Sequence, residues 1–165
     1  MVGIAALILA VPSLVLAALP ATGESIGTLR FADAQGKIVA LDAPGVLYVV
    51  DFWATWCKPC VDEMPDLDRL AADYDPAKVR LVGVLGEEIS GANLNKAAKQ
   101  AKTQRPVYGD PQKFFELLGI REFPTKLFIR DGVLLRVRHG GGAGTYETLK
   151  TLIDSEVDPK PVKWD

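Results

Sequence analysis

The period of the apolar positions changes along this chain, and each change marks an element. Val46–Phe52 and Val79–Leu85 are short, nearly continuous apolar runs, the pattern of strands buried on both faces. Val61, Met64, Leu67, Leu70 and Ala71 recur at helical spacing, which predicts a helix to about Tyr74, kinked by Pro65. Ahead of these, Leu29–Phe31 and Lys37–Leu41 flank Asp33-Ala-Gln-Gly36 and read as a hairpin. Residues 91–102 predict a helix with a basic, solvated outer face. Asp110 and Pro111 read as the N-cap and first residue of a helix ending near Leu118. Lys126–Arg130 and Val133–Arg138 are strands joined by the turn Asp131-Gly132. Gly140–Gly144 reads as a flexible loop, and Thr145 as the cap of a last helix whose apolar face carries Tyr146, Leu149, Leu152 and Ile153. Strands alternating with helices, closed by a hairpin, define an α/β chain with a parallel core sheet and late antiparallel strands.

The first twenty residues are a different material. Met1–Gly23 carries no charge and residues 2–19 are almost wholly apolar. A secretory signal peptide and an uncleaved membrane anchor both fit over 1–20, and both put the remainder outside the cytoplasm. No Lys or Arg opens the segment, as a signal peptide normally requires. Residues 21–28 read as a linker, 29–155 as one domain and 156–165 as a loose tail. A net charge of −2 with scattered Lys and Arg lacks the basic stripe that nucleic acid requires.

The two cysteines, Cys57 and Cys60, are three positions apart. They cannot clip a long loop, so their spacing points to chemistry rather than stability. A buried strand runs directly into them and a helix follows. Unpaired N–H groups and the dipole at a helix start stabilise a thiolate there. Cys57 is the candidate nucleophile, and Cys60 can resolve its mixed disulfide from one turn away. Lys58 adds positive charge, and Pro59 suits a first helical turn. A zinc site needs four ligands, and beyond this pair the chain offers no further Cys and one His, His139, which reads as a solvated strand end. No metal site is expected. Asp51 interrupts a run that otherwise reads as buried. Burial should raise its pKa and suit it to take a proton from Cys60.

Val-Asp-Phe-Trp-Ala-Thr-Trp-Cys-Lys-Pro-Cys over residues 50–60 resembles the active-site segment of the thioredoxin superfamily. Within it the chain is similar to the extracytoplasmic TlpA-like branch, which includes cytochrome c maturation reductases. The resemblance covers most of residues 29–155, through Glu63-Met64-Pro65, Phe123-Pro124-Thr125 and the closing Asp-Gly hairpin. It implies a thioredoxin fold, a central mixed β-sheet flanked by helices with an added N-terminal hairpin. It also implies a cis Pro124 beside the cysteines, with Phe123 offering backbone hydrogen bonds to an extended substrate. Phe123 departs from the smaller residue usual there. Trp56 is expected over the cysteines as part of the docking surface, and Trp53 in the core. Asp51 matches the acid of thioredoxin and Glu63 the acid of many TlpA-like proteins. This chain has both, and two nearby acids raise one pKa further. Lys126, where the family commonly has Thr, is expected to reach Asp51 or Glu63 and hold it ionised.

The resemblance implies a thiol–disulfide oxidoreductase whose only redox group is the cysteine pair, since no dinucleotide fingerprint is present. Its partners would be protein thiols and disulfides and a membrane electron donor, with the chain a monomer. Reduction is the preferred direction. A disulfide-forming oxidase or isomerase, a Cu(I)-binding module and a peroxidase stay open as alternatives.

Overall fold

The computed structural model describes residues 18–87, 91–142 and 144–158. Seven strands form one sheet: β1 (Arg30–Ala32), β2 (Ile38–Ala40), β3 (Leu47–Trp53), β4 (Val79–Leu85), β5 (Val107–Gly109), β6 (Thr125–Arg130) and β7 (Val133–His139). Their order is β2-β1-β5-β4-β3-β6-β7. β3, β4 and β5 run parallel; β6, β7, β1 and β2 join antiparallel. The helices are α1 (Lys58–Asp62), α2 (Met64–Asp73), α3 (Gly91–Ala101), α4 (Phe114–Leu117) and α5 (Thr145–Val157). This is a thioredoxin fold.

All seven residues of β3 are buried, as its unbroken apolar pattern requires, because apolar layers cover both faces of the sheet. Leu47, Val49 and Trp53 pack with Leu67 and Leu70 of α2, Leu94 of α3 and Leu149 and Ile153 of α5. Tyr48, Val50 and Phe52 pack on the opposite side with Phe31, Val84, Leu118 and Leu127. Side chains alternate along a strand. Asp51 therefore shares the α2/α5 face with Val49 and Trp53. On β6, Lys126 shares it with Phe128.

The structure corrects four local expectations. β5 was not foreseen. It has three residues and no apolar run of its own, and exists because β4 and β1 supply its backbone partners. α4 begins at Phe114, not Pro111, because Lys113 adopts a left-handed conformation that interrupts any helix from Asp110. Asp110 acts across that turn, its Oδ2 accepting from the Phe115 N–H at 2.9 Å. Gly144 caps α5, leaving the Thr145 hydroxyl for another partner. In the segment expected as a linker, Gly23 donates to Leu134 O, Leu134 to Glu24 O and Ile26 to Gly132 O. These bonds satisfy the outer edge of β7, the last strand of the sheet.

Residues 156 and 157 belong to α5, so the expected tail starts later. Its part from 159 on lies outside the described residues, as does the expected signal or anchor segment up to residue 17. Among the described residues no helix is long and apolar enough to cross a membrane.

Leu67 is fully buried between α2 and the sheet. Leu67→Ala should lower the unfolding free energy by about 2–5 kcal/mol, read as a reduced denaturant midpoint at unchanged slope.

Candidate active site

β3 delivers the chain to its C-terminal edge, where Ala54–Trp56 turn into α1. The Thr55 hydroxyl donates to Glu87 Oε1 at 2.9 Å, tying this turn to the segment that follows β4. Cys57 is the N-cap of α1, and its sulfur accepts from the Cys60 N–H at 3.3 Å. Cys57 and Cys60 form a disulfide with their Cα atoms 5.3 Å apart. Cys60 is sealed, whereas Cys57 keeps 4% exposure, so Cys57 is the sulfur nearer solvent. Lys58 and Pro59 are both exposed. Lys58 pairs with Asp62 at 2.6 Å.

The helix after the cysteines breaks where Pro65 predicts. Pro65 has no N–H to continue the ladder from Val61. Glu63 ends α1 and begins α2. Glu63 is 1% exposed, Asp51 1% and Lys126 0%. Lys126 stands directly across from Asp51 in the β3–β6 register. Its Nζ lies 3.6 Å from Asp51 Oδ1 and also donates to Glu63 Oε1. Lys126 thus reaches both acids. The other Asp51 oxygen, Oδ2, lies 3.5 Å from Arg105 Nη2. Neither Asp51 oxygen makes a hydrogen bond, so the two cations balance its charge across a gap. Arg105 is itself held by Asp68 at 3.1 Å and by the Met64 sulfur at 3.0 Å. Glu63 Oε2 accepts from the Thr145 hydroxyl at 3.0 Å.

Burial lifts the Glu63 carboxyl above the ordinary carboxylate range, and Asp51 pushes it further up. Lys126 and Thr145 pull the other way without winning. Lys126 favours the ionised form of Glu63, and desolvation acts against it. The result is a buried carboxyl of raised proton affinity three residues after Cys60. Glu63 follows Cys60 by three residues, a spacing that places two helical side chains on one face.

A second surface lies at the same end of the sheet. Phe52 pairs with Thr125, so Pro124 falls beyond the end of β6, at the edge where β3 leads to Cys57. The Phe123–Pro124 peptide is cis. The Phe123 ring has its centroid 6.0 Å from that of Trp56 and 6.3 Å from that of Phe115. Any Cβ at Gly86 would collide with the Phe123 ring, so a glycine there makes room for the bulky residue. Trp56 is 72% exposed, whereas Trp53 is buried in the core. His139 ends β7 in an exposed position, beside Thr125 and Glu122.

The sequence reading missed Arg105 and Thr145 as site residues. Arg105 follows a polar stretch and precedes Pro106, a context that reads as loop. Asp68 draws it inward by accepting from Thr103, Gln104 and Arg105 together. Thr145 carried only the signal of a helix cap.

Fold and site together define a thioredoxin-fold protein with a redox-capable Cys-x-x-Cys pair. The chain belongs to the AhpC/TSA family, whose model matches residues 18–137. It is 34% identical over 113 residues to the thiol-disulfide oxidoreductase ResA of Bacillus thuringiensis, a match spanning 67% of this chain and 65% of that protein. It is 29% identical over 139 residues to ResA of Geobacillus thermodenitrificans, covering 82% of this chain and 78% of the relative. Among solved structures, a Chlorobium tepidum protein assigned as the thiol:disulfide interchange protein DsbE superposes with a TM-score of 0.71. Its sequence identity is 25%, over 83% of this chain and 98% of that one. The exposed lipoprotein thioredoxin of Streptococcus pneumoniae matches with a TM-score of 0.63 and 29% identity, over 76% and 98% of the two chains.

Lys126→Met should lower stability at neutral pH by about 3–5 kcal/mol, because it leaves two buried carboxyls facing each other. The loss should shrink as the pH falls and Glu63 takes up a proton. Denaturant melts across the acid range measure both.

Proposed function

We propose that this chain is a thiol–disulfide oxidoreductase that reduces protein disulfides outside the cytoplasm. The observation that carries the reading is the Cys57–Cys60 disulfide at the start of α1, with Cys57 nearer solvent. In the reduced protein the Cys60 N–H and the helix start favour the Cys57 thiolate. That thiolate attacks a substrate disulfide. A Cys57–substrate bond forms, and the second substrate sulfur leaves as a thiolate. Glu63 then takes the proton from Cys60, whose thiolate attacks the Cys57 sulfur. The Cys57–Cys60 bond forms, the first substrate sulfur leaves, and two electrons have passed from the pair to the substrate. Asp51, held between Lys126 and Arg105, keeps the buried charge balanced and raises the proton affinity of Glu63.

Trp56, Phe123 and Pro124 receive the substrate backbone and side chains around the attacked disulfide, with Lys58 and Pro59 on the rim. The similarity to proteins named ResA and DsbE supports the thiol–disulfide reading. We place the protein in cytochrome c maturation or a similar thiol-reducing route, with apocytochrome or copper-chaperone thiol pairs as substrates. A membrane electron donor returns the pair to its reduced form. Residues 2–19, outside the described residues save the last two, export or anchor the chain. It works as a monomer with the cysteine pair as its only redox group.

Equilibration against glutathione or dithiothreitol buffers should give a potential near or below about −230 mV. A value of about −120 to −180 mV would instead make the protein an oxidase or isomerase. Cys60→Ser should accumulate a mixed disulfide with a model protein substrate, and Cys57→Ser should form none, both read by non-reducing mass spectrometry.

A further inference from the structure

The loop between β7 and α5 reaches into the buried charge cluster. Lys126 Nζ lies 3.4 Å from the Gly140 carbonyl oxygen. Gly141 lies so close to Glu63 that any Cβ there would collide with the carboxylate. Its backbone has an ordinary negative or extended φ, so space and not conformation demands the glycine. The Gly142 N–H donates to the Thr145 hydroxyl at 3.1 Å. That hydroxyl has one hydrogen. Its oxygen accepts from Gly142, and the hydrogen is donated to Glu63 Oε2 at 3.0 Å. The space left beside Lys126, Gly140 and Thr145 is about 10 Å³, the lower bound for a single water. Glu63 itself is 1% exposed, so protein donors rather than bulk water meet its carboxylate.

We propose that Thr145, fixed by the Gly140–Gly142 turn, is a positioning residue for the resolving step. Its hydroxyl orients the Glu63 carboxylate and sets the pH above which Glu63 can take the Cys60 proton. This deepens the reading of Glu63 as the base and rests on it. The other groups that face Glu63 are Lys126 from β6 and Asp51 from β3, with Arg105 acting through Asp51 and Met64. Arg138 of β7 borders the small space beside Lys126. Lys126 belongs to β6 and Arg105 to the turn before β5, whereas Thr145 belongs to a helix 82 residues away from Glu63 in sequence. The loop thereby couples the docking of α5 to the proton chemistry at the cysteines. A hydrogen bond to an ionised carboxylate favours the ionised form, so Thr145 lowers the proton affinity that burial raises.

The test uses the reduced full chain and dithiodipyridine. The second, unimolecular thiol release reports attack by Cys60 and is followed across pH. Thr145→Val should move the midpoint of this step up by about one pH unit, and Thr145→Ser should restore it. Carbon NMR of the Glu63 carboxyl should show the same upward shift directly, and Thr145→Ala replaces Thr145→Val should the latter fold poorly. An unchanged midpoint in Thr145→Val, with a Glu63→Gln variant that loses the titrating limb, overturns the role of Thr145 alone. A Glu63→Gln variant that keeps the wild-type pH profile overturns Glu63 as the base, and this inference with it.

Discussion

Asp51 and Lys126 stand opposite each other on neighbouring strands, both sealed from water. Charges in that position are tolerated only with partners, because the loss of hydration costs several kcal/mol per ion. Lys126 lies between the two carboxylates, and Arg105, shared with Asp68, adds a second cation on the far side of Asp51. Much of the surrounding structure follows from this requirement. Asp68 organises the turn at 103–105 so that Arg105 enters the interior. The glycine at 141 and the hydroxyl at 145 close the other side.

The break between α1 and α2 belongs to the same logic. Glu63 lies on the same buried helical face as Cys60 and Leu67, three residues after one and four before the other. Pro65 interrupts the ladder, and Glu63 becomes the junction residue between two short helices. Its side chain then lies inside, against Lys126, while Cys60 stays one turn earlier in the chain. A carboxyl of raised proton affinity thus sits at the junction of the two helices, three residues after Cys60.

The aromatic surface has a separate origin. Phe123 is larger than its position in the family pattern usually allows, and Gly86 gives the ring its slot. The ring then bridges exposed Trp56 and half-buried Phe115 of α4. The face beside Cys57 thus carries the exposed Trp56 ring against Phe123, with exposed Lys58 next to the cysteine.

Several features were legible in the residue pattern because they depend on local order. The doubly buried strands, the Cys57–Cys60 pair at a helix start, the Pro65 break and the Asp131-Gly132 hairpin all follow from periodicity, turn chemistry and proline geometry. Asp51 stood out because a charge in an apolar run is costly and needs a reason, and Lys126 because it departs from the family pattern two residues after Pro124. Tertiary structure alone decided the rest. β5 is a strand only because two neighbours complete its hydrogen bonds, and residues 23–26 are ordered only because β7 has an open edge. Arg105 and Thr145 look like loop and cap residues until the fold brings them to Asp51 and Glu63. Hydrophobic period records which face of an element is buried. It does not record which distant polar groups must meet there, since that depends on how the packed elements share a small, water-free volume.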